Sequence, residues 1–446
     1  MTSNEPLSMG PVMAMHNKKE TNMSEQEQSN LEQVFANVAS NYRGADIDLH
    51  AVYRDMRQNS PVLEENFMAR LGVPSIAGLD VNRPTFTLFK YDDVMAVMRD
   101  HVNFTNGFIA EGLGSFFDGL ILTAMDGEAH KNIRNLLQPV FMPETVNRWK
   151  ETRIDRVIRE EYLKPMVASK GADIMEFALH FPIRVIYALI GFPEDRPEDI
   201  QQYAAWALAI LAGPQVDPEK AAAARSAAME AAKALYDVVK VVVAQRREEG
   251  ATGDDLISRL IRAEYEGRSL DDHEIATFVR SLLPAASETT TRTFGTLMTL
   301  LLERPELLER VRQDRSLVAK AIDESVRYEP VATFKVRQAD KDMVIRGVSI
   351  PKGAMVSCIV SSANRDEDAF ENADVFDIDR RARPSFGFGF GTHMCIGQFV
   401  AKTEINCALN AILDLMPNIR LDPSKPAPEI IGAQLRGPHN VHVIWD

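Results

Sequence analysis

The sequence is poor in cysteine and lacks long apolar runs. Its three cysteines, Cys358, Cys395 and Cys407, form no C-x-x-C pair. This pattern disfavours a structural zinc site or a disulfide framework and is typical of a reducing cytoplasm. No run of about 18 apolar residues occurs that could span a membrane. A net charge of −14 disfavours broad nucleic-acid binding. We therefore expect a cytoplasmic protein without nucleic-acid or membrane partners.

The composition is that of a globular chain, with 45% hydrophobic and 26% charged residues. Residues 1–24 are polar and lack the apolar core of a signal peptide, so we predict a disordered N-terminal extension. No Pro-, Gly- or Ser-rich linker divides residues 25–446, which we interpret as one large domain.

Helical spacing of apolar residues dominates this domain, and only a few short segments alternate like strands. Residues 84–98 indicate a strand followed by a helix, and residues 334–338, 342–349 and 354–359 indicate strands. We therefore predict a mainly α fold with a smaller β portion. The helical patterns cover residues 127–137, 144–168, 172–191, 197–212, 217–249, 254–264 and 271–303.

The stretch SFGFGFGTHMCIGQ, residues 385–398, places a lone cysteine in a loop of glycines and phenylalanines before a predicted helix. A dinucleotide-binding loop would need a glycine at Thr392 or Met394, which excludes that interpretation. Cys395 could be a small buried hydrophobic residue. However, the glycines would let the backbone approach a flat ligand, and the helix N-terminus would favour a thiolate. These are the requirements of a thiolate metal ligand beside a large aromatic cofactor.

Residues 388–397, FGFGTHMCIG, resemble the haem-binding loop of the cytochrome P450 family, F-x-x-G-x-[HR]-x-C-x-G. The resemblance implies the cytochrome P450 fold and a haem b cofactor, iron protoporphyrin IX. It also implies that the thiolate of Cys395 is the proximal ligand of the iron. Phe388, Gly389, His393 and Gly397 would then belong to the cofactor site.

The motif HKNIR contains two potential donors, His130 and Arg134, one helical turn apart. Taken alone, the pair could be a solvated helix face. The resemblance implies that both bind the haem propionates, together with Arg337 in FKVRQAD and His393 of the loop.

The motif AIDESVRYEP contains Glu324 and Arg327, which resemble the E-x-x-R pair of the family. A pair at this spacing is common on helix surfaces and is weak evidence alone. The resemblance gives Glu324 and Arg327 a structural role behind the haem, and Pro330 is expected to end their helix.

The motif SLLPAASETTTRT lies inside a long helical pattern although Thr, Ser and Pro are poor helix-interior residues. It resembles the oxygen-activating segment of the family, with Glu288 as the acid and Thr289 as the alcohol that deliver protons. Ala286 replaces the usual glycine, and Pro284 favours a kink one turn earlier.

The segments that line the substrate pocket in the family are dominated here by Phe, Leu, Ile and Ala, so a hydrophobic substrate is expected. Ala285 is also expected to lie against the haem. The predicted pocket residues are Phe108, Leu282, Ala285, Val331, Phe334 and Leu435.

The resemblance implies a monooxygenase that inserts one atom of O2 into a terpenoid, steroid or alkyl-aromatic type of molecule. Electrons would come from NAD(P)H through a separate ferredoxin reductase and ferredoxin, because no fused reductase domain is expected. Two alternatives are a peroxide-using haem-thiolate enzyme and a non-catalytic haem-thiolate binding or sensor protein. The acid–alcohol pair disfavours both.

A ferredoxin would need a basic patch near the cysteine loop, since the whole protein is acidic. The sequence predicts such a patch from five residues, Arg380, Arg381, Arg383, Lys402 and Lys131. The alternative is that these side chains are ordinary solvated surface.

Overall fold

A computed structural model of the protein describes residues 23–74, 82–112, 114, 117, 121–193 and 196–446. Residues 1–22 of the predicted extension lie outside these ranges, and the first helix begins at Met23. The described α-helices are α1 (Met23–Asn41), α2 (Leu49–Asn59), α3 (Phe67–Arg70), α4 (Tyr91–Arg99), α5 (Gly107–Glu111), α6 (Gly127–Leu137), α7 (Pro143–Trp149), α8 (Lys164–Val167), α9 (Ile174–Ile190), α10 (Pro197–Leu211), α11 (Pro218–Glu248), α12 (Leu256–Arg262), α13 (Asp272–Leu302), α14 (Pro305–Gln313), α15 (Leu317–Tyr328), α16 (Val360–Ala363) and α17 (Gln398–Leu415). The described strands are β1 (Val62–Leu63), β2 (Thr85–Leu88), β3 (Phe104–Thr105), β4 (Gly171–Asp173), β5 (Glu264–Tyr265), β6 (Arg268–Ser269), β7 (Phe334–Ala339), β8 (Met343–Ile345), β9 (Val348–Ile350), β10 (Met355–Ile359), β11 (Arg420–Leu421), β12 (Ile430–Ile431), β13 (Gly437–Pro438) and β14 (His442–Ile444).

The predicted fold class is confirmed, since helices dominate and the strands are short. The helical pattern predicted over residues 144–168 is helical in the structure, but π-helical turns at Lys150–Ile154 and Val157–Leu163 lie between α7 and α8. Apolar spacing does not reveal such turns, since only the backbone hydrogen-bond pattern changes. No helix of the described ranges has the length and apolarity needed to cross a membrane.

The longest apolar element, α13, occupies the centre of the main hydrophobic core and packs against α9, α10 and α11. It begins with a capping box, in which the Asp271 side chain accepts a hydrogen bond from the backbone N–H of Glu274. The Glu274 side chain in turn accepts one from the backbone N–H of Asp271. The helix continues without interruption across Pro284. This continuity keeps Glu288 and Thr289 on adjacent positions of one rigid element.

The largest sheet has five strands in the order β1-β2-β10-β7-β3. β7 lies between β10 and β3 and runs antiparallel to both. Within this register Arg337 is opposite Val356 and Lys335 is opposite Cys358. Successive side chains of a strand point to opposite faces, so Lys335 and Arg337 share one face. Phe334 lies on the other face, in the main apolar core.

The loop before α17 has a tightly turned backbone. Gly389 and Gly391 have φ angles of +75° and +73°, in the left-handed region that favours glycine. A Cβ on Gly391 would lie 2.5 Å from the carbonyl oxygen of Met98 at the end of α4. The N–H of Cys395 donates to the carbonyl of Phe388 at 2.8 Å. This bond fixes the cysteine at the open side of the loop.

Candidate active site

Cys395 has an accessible thiol although the residue lies deep in the protein, whereas Cys358 and Cys407 are buried. Burial raises the pKa of the Cys395 thiol, while the backbone N–H of Gly397 and the ammonium of Lys335 act in the opposite direction. Coordination by a metal ion would deprotonate the thiol outright. In the described part of the chain, no three His, Cys, Asp or Glu side chains gather as a metal site. Cys395 could therefore serve as a single protein ligand.

Two predicted propionate-binding residues, His130 of α6 and His393 of the loop, lie against each other with ring centroids 4.2 Å apart. Asn106 Nδ2 lies 2.7 Å from His393 Nε2, and Asp126 Oδ1 lies 3.4 Å from the same nitrogen. Asp126 also accepts a 2.7 Å hydrogen bond from the backbone N–H of Asn106. The start of α5 is thus linked to the cysteine loop.

Burial, together with the charges of His393 and Arg134, lowers the pKa of His130 to about 4. Burial also lowers the pKa of His393, although the hydrogen bond to Asp126 opposes this shift. Both imidazoles are therefore neutral near pH 7, and each has one N–H to donate. His130 Nε2 is buried without a hydrogen-bond partner.

Neither of the two predicted arginines forms an ion pair within the described ranges. Arg134 is partly exposed, and its Nη2 donates to the carbonyl of Met394 at 2.8 Å. Arg337 is 7% exposed, and its Nη1 donates to the carbonyl of Val336, its own neighbour, at 2.8 Å. The charge of Asp126 acts on Arg337 only at longer range. A buried guanidinium without a close counter-charge is costly, so Arg337 in particular is suited to an anionic ligand.

These residues fit a haem. The unpartnered nitrogen of His130 and the guanidinium groups of Arg134 and Arg337, which form no ion pair in the described part of the chain, provide donors for carboxylates. Gly397 has an ordinary φ of −83°, and a Cβ there would meet no protein atom within 4 Å. Protein packing therefore does not require this glycine, whereas a flat group lying against the loop would.

Glu324 and Arg327 form a buried bidentate ion pair, with nitrogen–oxygen distances of 2.6 and 2.7 Å. Arg327 Nη1 also donates to the carbonyls of Asn364 and Ala373 at 2.8 and 2.9 Å. Arg380 Nε donates to Glu324 Oε1 at 3.2 Å. The pair thus joins α15 to the chain that leads into the cysteine loop, as a structural role would require.

This network corrects the prediction for the docking patch. Arg380 is not a free surface cation, because its side chain is 11% exposed and bonds to Glu324 and to backbone carbonyls. Lys402 pairs with Asp323 at 2.7 Å, and its Nζ lies 5.3 Å from the ring centroid of Phe388. Sequence position alone could not show that these charges are already engaged.

The other three members of the predicted patch differ in availability. Arg383 lies over the ring of Tyr91, 4.5 Å from its centroid, and Lys131 pairs with Glu128 at 3.3 Å on the surface. Arg381 is exposed and makes no hydrogen bond or ion pair within the described ranges. It is the most available cation of the five.

Ala285 and Thr289 lie one turn apart on α13 and are accessible, although most of this helix is buried. Thr289 Oγ1 donates to the carbonyl of Ala285 at 2.9 Å, so the threonine hydroxyl bonds the helix backbone one turn earlier. α13 packs against α17, the helix that follows Cys395. No hydrogen bond joins Thr289 to the cysteine loop.

Glu288 points away from this accessible face and is fully buried. Its Oε1 accepts a 2.5 Å hydrogen bond from Arg292 Nε, one turn later on α13. Burial raises the pKa of Glu288, while the charge of Arg292 opposes this shift. Glu288 Oε2 has no hydrogen-bond partner. The acid and the alcohol are thus neighbours in sequence that face different surroundings.

The predicted pocket residues are unequally accessible. Phe108 is 2% exposed and lies beneath the guanidinium of Arg83, 4.0 Å from the ring centroid. Phe334 is also buried, in the main core. The remaining members, Leu282, Val331 and Leu435, are partly buried. Their contact with a substrate remains a prediction.

Comparison with known proteins places these features in a family. The sequence model described as Cytochrome P450 matches residues 79–416. Fold and sequence together define a class of enzymes, the haem-dependent monooxygenases. Within it, the chain belongs to the cytochrome P450 family, whose members bind haem iron.

Similar proteins include several named biosynthetic enzymes. Pulcherriminic acid synthase of Bacillus subtilis (strain 168) is 29% identical, over 90% of this chain and 98% of that protein. The mycinamicin IV hydroxylase/epoxidase of Micromonospora griseorubida is 33% identical, over 73% and 79%. A crystal structure of a cytochrome P450 from Bacillus megaterium in complex with testosterone has a TM-score of 0.76 and 25% identity, over 90% of this chain and 100% of that one.

Sequence reasoning missed two charged residues near this site. Lys335 shares the strand face of Arg337, and Arg292 is the ion-pair partner of Glu288. The i,i+4 spacing between Glu288 and Arg292 is a sequence signal that could have identified Arg292 as the ion-pair partner. The alternation of side chains along the strand FKVR could have identified Lys335, because it lies two residues before Arg337 and therefore on the same face.

Proposed function

We propose that this protein is a haem-thiolate monooxygenase that uses haem b to insert one oxygen atom from O2 into a hydrophobic small molecule. Electrons would come from NAD(P)H through a separate ferredoxin reductase and ferredoxin. The observation that carries the proposal is the accessible Cys395 in a loop lined by Arg134 and His393, with Arg337 nearby and neither arginine in an ion pair within the described ranges.

In this proposal the thiolate of Cys395 binds the iron, and Arg134, Arg337, His130 and His393 bind the two propionates. When bound, haem supplies the redox chemistry that splits O2 and transfers one of its atoms to the substrate. The overall reaction consumes O2, two electrons and two protons, and it releases one water molecule with the oxidised product. The protein must therefore deliver protons while it excludes bulk water.

Thr289 is proposed to hold the last proton donor of the path. Its hydroxyl hydrogen is committed to the carbonyl of Ala285, so its oxygen lone pairs can orient a water molecule in the accessible space. Glu288 is proposed as the acid of the path, because burial raises its pKa and its Oε2 has no hydrogen-bond partner. Since Glu288 faces away from Thr289, its carboxyl group would have to turn toward the accessible face to pass a proton to that water. Arg292 would hold the carboxyl group between transfers.

The substrate is proposed to be a terpenoid, steroid or alkyl-aromatic type of molecule. The accessible face of α13 carries Ala285, whose small side chain leaves room for a bulky apolar group. The testosterone complex of the Bacillus megaterium relative supports the steroid class among these. A binding screen across the three classes, followed by the haem absorption spectrum, would choose between them.

The haem-thiolate assignment is tested by replacing each cysteine. Cys395→Ala and Cys395→His should abolish the long-wavelength Soret band that thiolate ligation gives the reduced CO complex. Cys358→Ala and Cys407→Ala serve as controls and should keep it, since both side chains are buried. Loss of the band in either control, with normal haem content and normal folding, would overturn the assignment.

The electron supply is tested by measuring NADH consumption and product formation with added ferredoxin and reductase, with and without substrate. Stoichiometric product that depends on both proteins supports the proposal. Turnover with hydrogen peroxide alone would favour the peroxide-using alternative, and substrate binding without any turnover would favour a sensor.

A further inference from the structure

Lys335 is an interior cation on β7 that the proposed chemistry does not use. It lies between Phe334 and Val336, which are both buried in the main apolar core on the opposite face of the strand. Its own side chain shares the face of Arg337 and is only partly accessible. The nearest ionisable groups that influence it are Cys395 and Arg337. Lys335 therefore points toward the same interior region as the candidate haem site.

No carboxylate of the described ranges accompanies this lysine. Lys335 makes no hydrogen bond and no ion pair there, whereas Lys90, another mostly buried lysine, contacts both Asp366 and Asp368. Removing an ammonium group from water without a counter-charge costs several kcal/mol. Lys335 is partly buried, and among the described acidic groups the thiol of Cys395 acts on it most strongly, so an anionic ligand could supply the carboxylate that the described residues do not.

The neighbouring charges favour an anionic ligand. Arg337 forms no ion pair within the described ranges and donates to a backbone carbonyl, and the charge of Asp126 acts on it only at longer range. Asp126, an acid close to His393, is already engaged by that imidazole and by the backbone N–H of Asn106. A lysine carries its charge on a flexible stem, so its ammonium group can reach a carboxylate at several positions. It can therefore bind carboxylates of ligands that differ in shape.

We propose that Lys335 binds a carboxylate that a ligand brings into this region. The carboxylate would come either from a haem propionate or from one end of an otherwise apolar substrate. The inference rests on the proposed function, because both sources assume that haem lies against Cys395. It adds a carboxylate-binding residue to the four propionate-binding residues that sequence reasoning identified.

The first experiment measures haem retention in the purified holoprotein. Lys335→Met removes the charge, Lys335→Arg retains it, and Lys352→Met changes an exposed lysine at the end of β9 as a matched control. If a propionate is the partner, transfer of haem to excess apomyoglobin should be about tenfold faster in Lys335→Met. Lys335→Arg should largely restore retention, and Lys352→Met should behave as the wild type.

The second experiment measures substrate recognition by spectral titration with hexadecanoic acid, its methyl ester and hexadecan-1-ol. If the substrate is the source, the wild type should bind the acid about tenfold more tightly than the ester. Lys335→Met should remove that preference without changing haem retention, and Lys352→Met should keep it.

A change in either experiment supports the inference and identifies the source of the carboxylate. If neither haem retention nor the preference for the acid changes in Lys335→Met, the inference is wrong. A wild type that loads haem without thiolate ligation would instead overturn the proposed function and this inference together. The reduced CO spectrum of the wild type therefore separates the two failures.

Discussion

Glu288 and Arg292 form a buried ion pair on successive turns of α13, with 2.5 Å between Oε1 and Nε. The guanidinium of Arg292 also lies over the ring of Phe35 in α1, 4.6 Å from its centroid. On the other side, a Cβ at Gly437 would approach Arg292 to 2.8 Å. The proposed proton donor is thus held by a side chain that is itself confined by α1 and β13.

Replacing Arg292 with Met should destabilise the protein in a pH-dependent way. Loss of the partner charge would raise the pKa of Glu288 further above its unfolded value. A raised carboxyl pKa stabilises the fold at low pH, and that stability is lost as pH rises. Breaking a buried pair costs about 3–5 kcal/mol. Urea unfolding at pH 5 and pH 8 should therefore show the larger loss at pH 8.

The controls for this prediction are Arg292→Lys, which keeps the charge, and Arg304→Met, which removes an arginine just beyond the end of α13. Both should lose much less stability. An Arg292→Met protein with the same pH dependence as the wild type would show that the ion pair does not control the Glu288 carboxyl group.

Replacing Thr289 with Ala should uncouple electron consumption from product formation. Without the hydroxyl oxygen, the water that Thr289 is proposed to orient would lose its position, and peroxide should accumulate in place of product. Haem content and substrate binding should be unchanged, because Thr289 makes no hydrogen bond with the cysteine loop. Thr289→Ser retains the hydroxyl and should restore most of the coupling.

The measurement is the ratio of product to NADH consumed, with peroxide quantified in parallel. An unchanged ratio in Thr289→Ala would point to Pro284 and Ser287 as the organisers of the proton path. Glu288→Gln should slow turnover and release less peroxide than the threonine change.

Replacing Glu404 with Gln should stabilise the protein, and more so at high pH. Glu404 is buried in α17, and burial raises its pKa well above the usual value. Stability from this group is present below the unfolded pKa and is lost as pH rises through the folded one. The amide of glutamine does not ionise, so the variant avoids this loss of stability. Between the unfolded and the folded pKa of Glu404, the loss amounts to about 1.4 kcal/mol per pH unit.

Urea unfolding of wild type and Glu404→Gln between pH 5 and pH 8 would test this. The stability difference in favour of Gln should grow across that range. Glu429→Gln, on an exposed carboxyl group, is the control and should show no such trend. A difference that stays constant with pH would mean that Glu404 is ionised in the folded protein.

Arg381 and Arg380 should respond differently to charge reversal, although they are adjacent. Arg381→Glu should raise the KM for ferredoxin several-fold at low salt, since this side chain is exposed and without a partner. Its melting temperature should stay close to that of the wild type. Arg380→Glu should lower the melting temperature, because it places a carboxylate beside the buried Glu324.

Peroxide-driven turnover separates docking from chemistry and should be unaffected in Arg381→Glu. If Arg381→Glu accepts electrons from ferredoxin normally at every salt concentration, the docking surface lies elsewhere.

The sequence predicted those features that depend on local pattern. Apolar spacing located α6 and α13, and the spacing of Phe388, His393 and Cys395 carried the family resemblance that the comparisons confirm. The bond between Thr289 and the helix backbone is likewise local, because an i,i+4 hydroxyl bond needs only the helix.

The features that sequence reasoning missed depend on which chains meet in space. Whether Arg380 is solvated or bonded to Glu324 is decided by how residues 371–380 fold back onto α15. That no described carboxylate pairs with Lys335 likewise depends on how the surrounding elements pack. Such facts follow from tertiary contacts between residues far apart in the chain, which a single sequence does not display.

The contrast among the three cysteines has a practical consequence for handling this protein. Burial raises the pKa of both Cys358 and Cys407 to about 12, so neither thiol would react readily with an alkylating reagent. Under native conditions, iodoacetamide should therefore modify Cys395 alone, and only in molecules whose sulfur is not bonded to iron. Intact-mass spectrometry after brief alkylation would count the fraction of a preparation that lacks its prosthetic group.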